Sequence, residues 1–404
     1  MTQYAHEVWV TGIGIVSSLG EDTAAHVAQL AGRGSRPVID VQRYEPYCVH
    51  PLLPLDFSKQ IPKKSDQKQM ESWQRVGVYA AGLALTDAGI AHKGELLDRT
   101  DLVVAAGSGE RDINVDCAVL DKLSQSEDST VLAKEVLPSA LRPTLFLAQL
   151  PNMLAGNISI VHGVTGSSRT FMGEEMAGMA AVENAVARIS AGQADLVLVG
   201  GALNAEREDL LLGYELGHNL WRGHYASVWD RRHGGGGFIA GSVGAFLVLE
   251  SRAHAEARRA IPYARIAGVA TDCCGRAAGD VTSTLIQLFE RLRTTIPMGV
   301  LPVLSGASGV EPTTSEEIDF LDYLPAYGIE PVVRAYGSLL GHSVEAHFPA
   351  GVALAALAAR HGALPSALDC SGIERPFAGS VDRVLVTAGG HWRGEGLALV
   401  EAIA

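Results

Sequence analysis

Apolar, β-branched segments alternate with helical patterns along almost the whole chain. Strand-like stretches include EVWVTGIGIV, DLVVAAGS and ADLVLVGGA, and helical periodicity appears at about residues 72–88 and again from residue 175. Such alternation favours a layered α/β architecture, because each strand needs helices to cover its apolar faces. A similar order returns after about residue 262 with IPYARIAGVA, VLPVLSGAS, GVALAALAAR and RVLVTAGG. We therefore predict two related α/β halves, residues 1–255 and 256–404, that share one body.

Net charge, cysteine content and the length of the apolar stretches indicate which partners this chain can bind and in which compartment it is found. The 404-residue chain carries a formal net charge of −13, which argues against nonspecific binding to nucleic acid or to an anionic membrane. Its five cysteines are odd in number and show no CxxC spacing, so neither a disulfide framework nor a zinc site is indicated. No stretch reaches membrane-spanning length, and the first residues do not form a secretory signal. These features predict a cytoplasmic protein with no membrane span.

Three motif searches argue against a cofactor or a metal. TGIGIVSS supplies only two of the three glycines of a dinucleotide-binding fingerprint. HGGGG resembles an esterase oxyanion loop, but the chain has no G-x-S-x-G element for the nucleophile. His342 and His347 are five residues apart and would not share a helix face, which disfavours metal ligation. The sequence therefore predicts neither cofactor nor metal.

The stretch TFMGEEMAGMAAVENAVARIS predicts a strand end, a tight corner and a helix. One apolar stripe of that helix is formed by Met179, Val182, Val186 and Ile189. Glu175 heads the same stripe, so its carboxylate should point inward, where burial without a partner is costly. Amides at the start of the helix, the helix dipole, His342 or Arg169 could offset that cost. The alternative is an ordinary acidic first turn.

Several stretches together resemble the β-ketoacyl-acyl carrier protein synthases, which are condensing enzymes of the thiolase fold. VWVTGIGIVSSLG resembles their opening strand and turn, NMLAGNISIVHGVTGSS the segment before their nucleophile, and ISAGQADLVLVGGA and WDRRHGGGGFIAGSVGAFLVLESRAHAEAR continue the likeness in order. The C-terminal third matches more weakly, through GASG, LLGHSVEAHFPAGVALA and TAGG. The resemblance implies a duplicated α/β/α/β/α five-layer fold, a homodimer or heterodimer, and acyl chains delivered on an acidic acyl carrier protein.

The resemblance also implies an active site that this sequence does not preserve. Glu175 occupies the position of the nucleophilic cysteine. Ser308 replaces the first of two histidines, and Gly337 replaces the lysine, whereas His342 retains the second histidine. The gate and oxyanion element near the C-terminus, G-F-G-G in the family, is represented by Thr387, Ala388, Gly389 and Gly390.

These replacements predict the loss of condensation in the isolated chain. A carboxylate cannot accept an acyl group and pass it on as a thioester, and losing one oxyanion donor commonly costs about 3–4 kcal/mol. The chain resembles the chain-length factors of type II polyketide synthases, which carry a glutamine at this position and shape the acyl tunnel while the partner does the chemistry. Two alternatives remain open: a malonyl-carrier decarboxylase that uses His342 and Glu175, and an acyl-carrier-binding scaffold.

Three surface features complete the sequence-based expectations. Lys63, Lys64 and Lys68 form either a carrier-docking patch or a solvated charged face. Arg111 in GSGERDINVD and Phe146 in RPTLFLAQLPNML match family regions near the acyl tunnel and the subunit interface. GERDINVD and TGSSRTFMGEE further resemble a ketosynthase-like protein of very-long-chain fatty acid synthesis for lipid A in α-proteobacteria, which implies a long tunnel.

Overall fold

The computed structural model describes residues 6–31, 36–125, 130, 134–135, 137–140 and 143–403. Within these residues the strands are β1 (Val8–Val16), β2 (Val49–His50), β3 (Asp101–Ala105), β4 (Ser168–Phe171), β5 (Leu196–Leu203), β6 (Ala240–Gly241), β7 (Val243–Ser251), β8 (Ala264–Asp272), β9 (Gly299–Ser305), β10 (Ile329–Ala335), β11 (Arg383–Gly389) and β12 (Glu395–Glu401). The three strands predicted for the first half are thereby confirmed, and so are the strands in IPYARIAGVA, VLPVLSGAS and RVLVTAGG, whereas GVALAALAAR lies in the helix His347–His361.

The α-helices of the described residues fall between these strands. They are α1 (Thr23–Ala31), α2 (Lys64–Gln69), α3 (Ser72–Asp87), α4 (Gly94–Leu97), α5 (Ile113–Gln125), α6 (Leu137–Ala140), α7 (Pro143–Ala148), α8 (Met153–His162), α9 (Glu175–Ser190), α10 (Glu208–Leu216), α11 (Arg252–Ala257), α12 (Asp280–Leu292), α13 (Thr313–Tyr323), α14 (Gly337–Leu340) and α15 (His347–His361). No helix among these is both long and apolar enough to cross a membrane.

One five-strand pattern occurs twice. The large sheet has the order β10-β9-β11-β12-β8-β1-β7-β5-β3-β4, with β2 and β6 forming a separate small sheet. In the first half β3 pairs parallel with β4 and β5, while β7 pairs antiparallel with β5 and β1. In the second half β9 pairs parallel with β10 and β11, while β12 pairs antiparallel with β11 and β8. The halves meet through a short antiparallel pairing of β1 with β8.

Helices cover both halves and separate them. α9 and α15 pack against each other and against strands of both halves, so they form the middle layer. α3 and α8 cover the outer face of the first half, and α12 and α13 cover that of the second. Three apolar cores lie between these layers, the largest around α9 and α15. The expected α/β/α/β/α five-layer fold is confirmed.

The predicted boundary between residues 255 and 256 lies within α11, which packs on β1 and β7. The first strand pattern with its covering helix therefore ends a few residues later than the boundary. The division at 255/256 stays a prediction.

Candidate functional site at the start of helix α9

A strained corner positions Glu175. β4 ends at Phe171, and the chain turns through Gly173, at φ 131°, and Glu174, at φ 56°, before α9 begins at Glu175. A residue other than glycine in the positive-φ region costs about 1–3 kcal/mol, and such strain concentrates at functional sites. The turn directs the Glu175 side chain inward, where it is 2% exposed. The predicted strand, corner and helix are confirmed.

Two imidazoles and one amide hold the Glu175 carboxylate. His342 donates from Nε2 to Oε1 at 2.7 Å, and His391 donates from Nδ1 to the same oxygen at 2.6 Å. The backbone N–H of His391 adds a longer bond at 3.3 Å. The predicted contact with His342 is therefore confirmed. Arg169 plays no such part, because it donates to Ser167 Oγ at the exposed side of β4.

The electrostatics assign charges to this cluster. Burial by itself would raise the pKa of Glu175, but His391 and His342 hold that pKa well below its usual range. Burial opposes charge on His391 too, yet the Glu175 carboxylate raises the pKa of that imidazole. Burial dominates at His342 and lowers its pKa. The ionised form of Glu175 and the protonated form of His391 therefore favour each other, whereas burial favours the neutral form of His342.

Aromatic side chains enclose the imidazoles. The buried Phe238 ring lies 5.0 Å from His342 and 5.8 Å from His391, between ring centroids. Tyr214 packs edge-on against His391 at 5.3 Å. These contacts exclude water and strengthen the ion pair inside.

A third histidine lies beside this cluster. The ring centroid of His347 is 4.4 Å from that of His342. The two residues share no helix face, as the sequence predicts, because His342 precedes α15, which begins only at His347. His347 Nδ1 accepts from the Ser343 amide at 3.3 Å, and burial lowers the pKa of the imidazole well below its usual range.

Ser308 and Gly337 lie near the cluster without joining it. The Ser308 carbonyl accepts from Arg231 Nη2 at 2.8 Å, and its hydroxyl accepts from the Val310 amide at 3.1 Å. These are the contacts of a turn serine. Gly337 starts α14, and a Cβ there would lie 3.7 Å from the His347 ring. The site therefore has room at Gly337 but no cation in that place.

The loop that contains the last glycine of the gate element packs against Glu175. Ala388 and Gly389 end β11, and a tight loop follows in which the Gly390 amide donates to the Gly394 carbonyl at 2.7 Å. A Cβ on Gly390 would lie 3.2 Å from Glu175 Oε2. This close approach brings His391, the next residue, onto the carboxylate.

Sequence reasoning missed His391. It counted one of two imidazole donors as lost with Ser308, yet His391 supplies a second donor from a different loop, 216 residues from Glu175. The only signal in the sequence was a histidine directly after the TAGG element. The absence of a nucleophilic thiol at Glu175 stays a prediction, whereas the expectation that one imidazole donor is missing is corrected by His391.

A cavity of about 350 Å³ adjoins the cluster. Its polar lining includes Glu174, Arg207, Asp209, Tyr214, Glu345 and His391. Glu345 is buried against Gly107, and burial raises the pKa of its carboxyl to about 7. The expected long acyl tunnel stays a prediction. This cavity lies near the low end of ligand-pocket volumes.

The predicted carrier-docking lysines and Arg111 lie at the surface. Lys63, Lys64 and Lys68 are exposed at the start of α2 and along it. Arg111 is exposed and paired with Asp116 by two hydrogen bonds of 2.6 and 2.8 Å.

Glu110 in the GSGERDINVD loop and Phe146 in the RPTLFLAQLPNML segment lie in different surroundings. Glu110 accepts from the Ser72 and Trp73 amides, so it adds to the capping box that Glu71 and Gln74 form at the start of α3. Phe146 is 68% exposed, as a residue at a subunit interface would be in a single chain. Arg142, the first residue of its segment, lies outside the described residues.

These features define a class of protein. A twice-repeated five-strand pattern in five layers, with a strained corner at the start of the central helix, is the architecture of the thiolase-like condensing enzymes. Here the corner carries the carboxylate of Glu175.

The comparisons with known proteins then give the family. The family described as "Beta-ketoacyl synthase, N-terminal domain" matches residues 5–255. The chain belongs to the β-ketoacyl synthase family. A curated relative, 3-oxoacyl-[acyl-carrier-protein] synthase 2 of Vibrio harveyi, is 25% identical over 270 residues, which cover 65% of this chain and 61% of the relative. The chain thus spans less than two thirds of the length of that relative.

Solved structures agree over nearly the full length. The ishigamide ketosynthase/chain length factor matches with a TM-score of 0.79 and 20% identity, covering 99% of this chain and 100% of that chain. A type II polyketide synthase acyl-carrier protein in complex with its ketosynthase, bound to the hexaketide, matches with a TM-score of 0.72 and 18% identity, with coverage of 99% and 100%. At these identities the likeness establishes the fold.

Proposed function

We propose that this protein is a noncatalytic, chain-length-factor-like ketosynthase subunit of bacterial fatty acid elongation in the cytoplasm. It pairs with a β-ketoacyl synthase that has the nucleophilic cysteine, and together they receive acyl chains from acyl carrier protein. The observation that carries this proposal is the Glu175 carboxylate, buried at the nucleophile corner and held at 2.7 and 2.6 Å by His342 and His391.

Glu175 supports a noncatalytic role for two reasons. Its oxygen lacks the chemistry of a thiolate, which is the group that accepts and releases acyl thioesters in this family. It also occupies both imidazole donors, so neither N–H is available to a substrate carbonyl or to a developing enolate. The same contacts stabilise the buried corner in the absence of substrate.

The sheet edge supports pairing with a second subunit. β4 is the last strand at one edge of the sheet, and unpaired edge strands readily add a further strand. Met172, directly after β4, is 62% exposed, and Ile160 on the adjoining α8 is 69% exposed. An apolar rim beside an open edge is typical of a surface that another chain covers.

The acyl tunnel would then be completed by the partner. A cavity of about 350 Å³ that contains Glu174, Asp209 and Glu345 is unfavourable for a long alkyl chain within this subunit. We infer that any very long chain, as in the lipid A proteins that the sequence resembles, runs mainly along the partner's side of the interface. Lys63, Lys64 and Lys68 are the residues we assign to carrier docking.

One experiment tests the central claim. The purified chain is incubated with acylated and malonylated carrier protein, and intact-mass spectrometry is used to look for an acylated chain while product analysis looks for elongation. We expect neither from the chain alone, and we expect elongation when a cysteine-bearing homologue is co-expressed and co-purified. An acyl adduct or an elongated product from the chain alone would refute the proposal.

A second candidate, malonyl-carrier decarboxylation, has one observation in its favour. Two imidazole N–H groups converge on one oxygen, an arrangement that could stabilise the enolate left when malonyl loses carbon dioxide. Glu175 already occupies that point, and Glu174 and Glu345 would repel the malonyl carboxylate. Carbon dioxide release from malonyl-carrier protein that disappears in Glu175→Ala would favour this candidate. If no carbon dioxide is released above background, the noncatalytic subunit remains the favoured function. Stable binding of acyl carrier protein by this chain without any partner would instead favour a scaffold.

A further inference from the structure

The cluster at the α9 corner has the composition and spacing of a metal site. Glu175, His342 and His391 each offer one ligand atom, and these three atoms lie within 4.8 Å of one another. They come from three separate elements: the start of α9, the loop after α14 and the loop after β11. All three side chains are buried, so this is not a surface group of acids and histidines.

Two buried atoms of the cluster have no hydrogen-bond partner. Glu175 Oε2 is unpaired, although an ionised carboxylate has about four acceptor positions and both imidazoles donate to Oε1. His342 Nδ1 is unpaired as well. An unpaired buried polar group costs about 1–3 kcal/mol, so hydrogen bonds within the cluster do not satisfy it fully.

A further carboxylate orients one of the imidazoles. His391 Nε2 lies 3.5 Å from Glu174 Oε2, on the side of the ring opposite Glu175. Metal-ligating histidines commonly have their second nitrogen held by a carboxylate, which fixes the tautomer and raises the basicity of the ligating nitrogen. In this arrangement Nδ1 of His391 is the atom that faces Glu175.

We propose that Glu175, His342 and His391 bind a divalent transition metal ion, zinc by preference, with Glu174 as the carboxylate that positions His391. Two imidazoles and one carboxylate form the three-ligand set of many zinc sites with one open position. The ion would replace the ring-nitrogen protons now directed at Glu175, and its two positive charges would offset Glu175 and Glu174. The open position would face the cavity of about 350 Å³ that His391 and Glu174 line.

The geometry requires only a small adjustment. Zinc bonds of about 2.0–2.2 Å in a tetrahedron place neighbouring ligand atoms roughly 3.3 Å apart. The present separations from Glu175 Oε1 are 2.7 Å to His342 Nε2 and 2.6 Å to His391 Nδ1. The ligands must therefore move apart by roughly 0.6 Å, which rotation of the Glu175 carboxyl group can largely supply.

The test measures metal directly. The full chain is purified, dialysed against chelator and then against metal-free buffer, and titrated with Zn²⁺ under equilibrium dialysis with elemental analysis. Co²⁺ substitution reports the coordination geometry by its visible absorption. We expect one bound ion per chain, tetrahedral Co²⁺ absorption and a rise in melting temperature on adding Zn²⁺.

Four variants and one control show whether zinc binds at the Glu175 cluster. Glu175→Gln, His342→Asn and His391→Asn should each abolish the stoichiometric site, and Glu174→Gln should weaken it by about 10- to 100-fold. His218→Asn is the control, because His218 is exposed and has φ 56°, which asparagine tolerates. Circular dichroism and melting of each metal-free variant show whether it is folded.

Three outcomes would overturn the proposal: no stoichiometric Zn²⁺ on the wild-type chain, equal binding by the folded ligand variants, or equal loss in the His218 control. If a ligand variant fails to fold, the wild-type stoichiometry and the Co²⁺ spectrum still decide the question. The result is independent of the proposed subunit role, since metal binding needs no partner chain.

Discussion

A proline at the sheet edge tests subunit pairing. The carbonyls of Ser167 and Phe171 accept from the amides of Leu102, on β3, and of Ala106, directly after β3, at 2.8 and 3.0 Å. Alternate residues of a strand direct their backbone groups to the same neighbour. Ser167, Arg169 and Phe171 therefore face β3, and the backbone groups of Ser168 and Thr170 face outward. Thr170→Pro removes an N–H that this chain does not use, because proline has none.

The expected weakening of the dimer follows from the number of backbone hydrogen bonds that the proline removes. In a homodimer paired about a twofold axis, Thr170→Pro removes one bond from each copy, and each is worth about 0.5–1.5 kcal/mol. The dimer should weaken by about 1–3 kcal/mol, which is roughly 5- to 150-fold in the dissociation constant. A heterodimer loses one bond and should weaken by roughly 2- to 12-fold. The unfolding free energy of the monomer should change by less than about 1 kcal/mol, because edge strands tolerate proline.

Sedimentation velocity over a range of concentrations measures the association, with the chain alone and with a co-purified cysteine-bearing ketosynthase. Arg169→Pro is the matched comparison: it removes an inward N–H, and we expect it to lower monomer stability by about 1–3 kcal/mol. Unchanged association of Thr170→Pro would refute pairing through β4. A loss of monomer stability in Thr170→Pro equal to that in Arg169→Pro would refute the assignment of inward and outward residues.

Three further predictions concern stability and docking. Burial alone would raise the pKa of Glu250, but hydrogen bonds from Arg258, His254 and Thr11 lower it to about 2. Because the pKa is lower in the folded protein than in the unfolded chain, we expect Glu250 to contribute about 3 kcal/mol of stability above pH ~4.5, and this contribution is lost as the pH falls toward 2. The free energy of unfolding in urea should therefore depend less on pH in Glu250→Gln than in the wild-type protein. Gly390→Ala places a Cβ 2.3 Å from the Arg393 carbonyl and should cost about 1–3 kcal/mol in thermal unfolding, whereas Gly213→Ala, with nothing within 4 Å, should be neutral or stabilising. Charge reversal of Lys63, Lys64 and Lys68 should weaken acyl-carrier binding about tenfold at low salt and little at high salt, and equal loss at both would contradict an electrostatic role.

Local patterns in the sequence predicted much of the fold. The stripe of Met179, Val182 and Val186 lies buried on α9, because helical periodicity depends only on nearby residues. The alternation of strands and helices gave the layered class, and the motifs gave the family. The strands β10 and β12 were not anticipated from the sequence.

The candidate site could be predicted only in part. Glu175 and His342 followed from aligned motifs, but His391 had no role until β11 and its loop were placed against α9. The sequence assigned no role to Glu110, whereas in the structure its carboxylate accepts from two amides at the start of α3. These contacts join residues that are far apart in the chain, and no local pattern encodes such distances.

By itself, the sequence determined that this chain forms α/β layers and that a carboxylate heads the apolar stripe of α9, since both depend on residue identity and short-range periodicity. Only the tertiary structure decided how that carboxylate is stabilised. Its two imidazole partners lie 167 and 216 residues away, and packing of the two halves around α9 and α15 brings them within 2.7 Å of it. Whether a buried charge is isolated or paired depends on those three-dimensional neighbours, because hydrogen bonds and Coulomb forces act over a few ångströms of space.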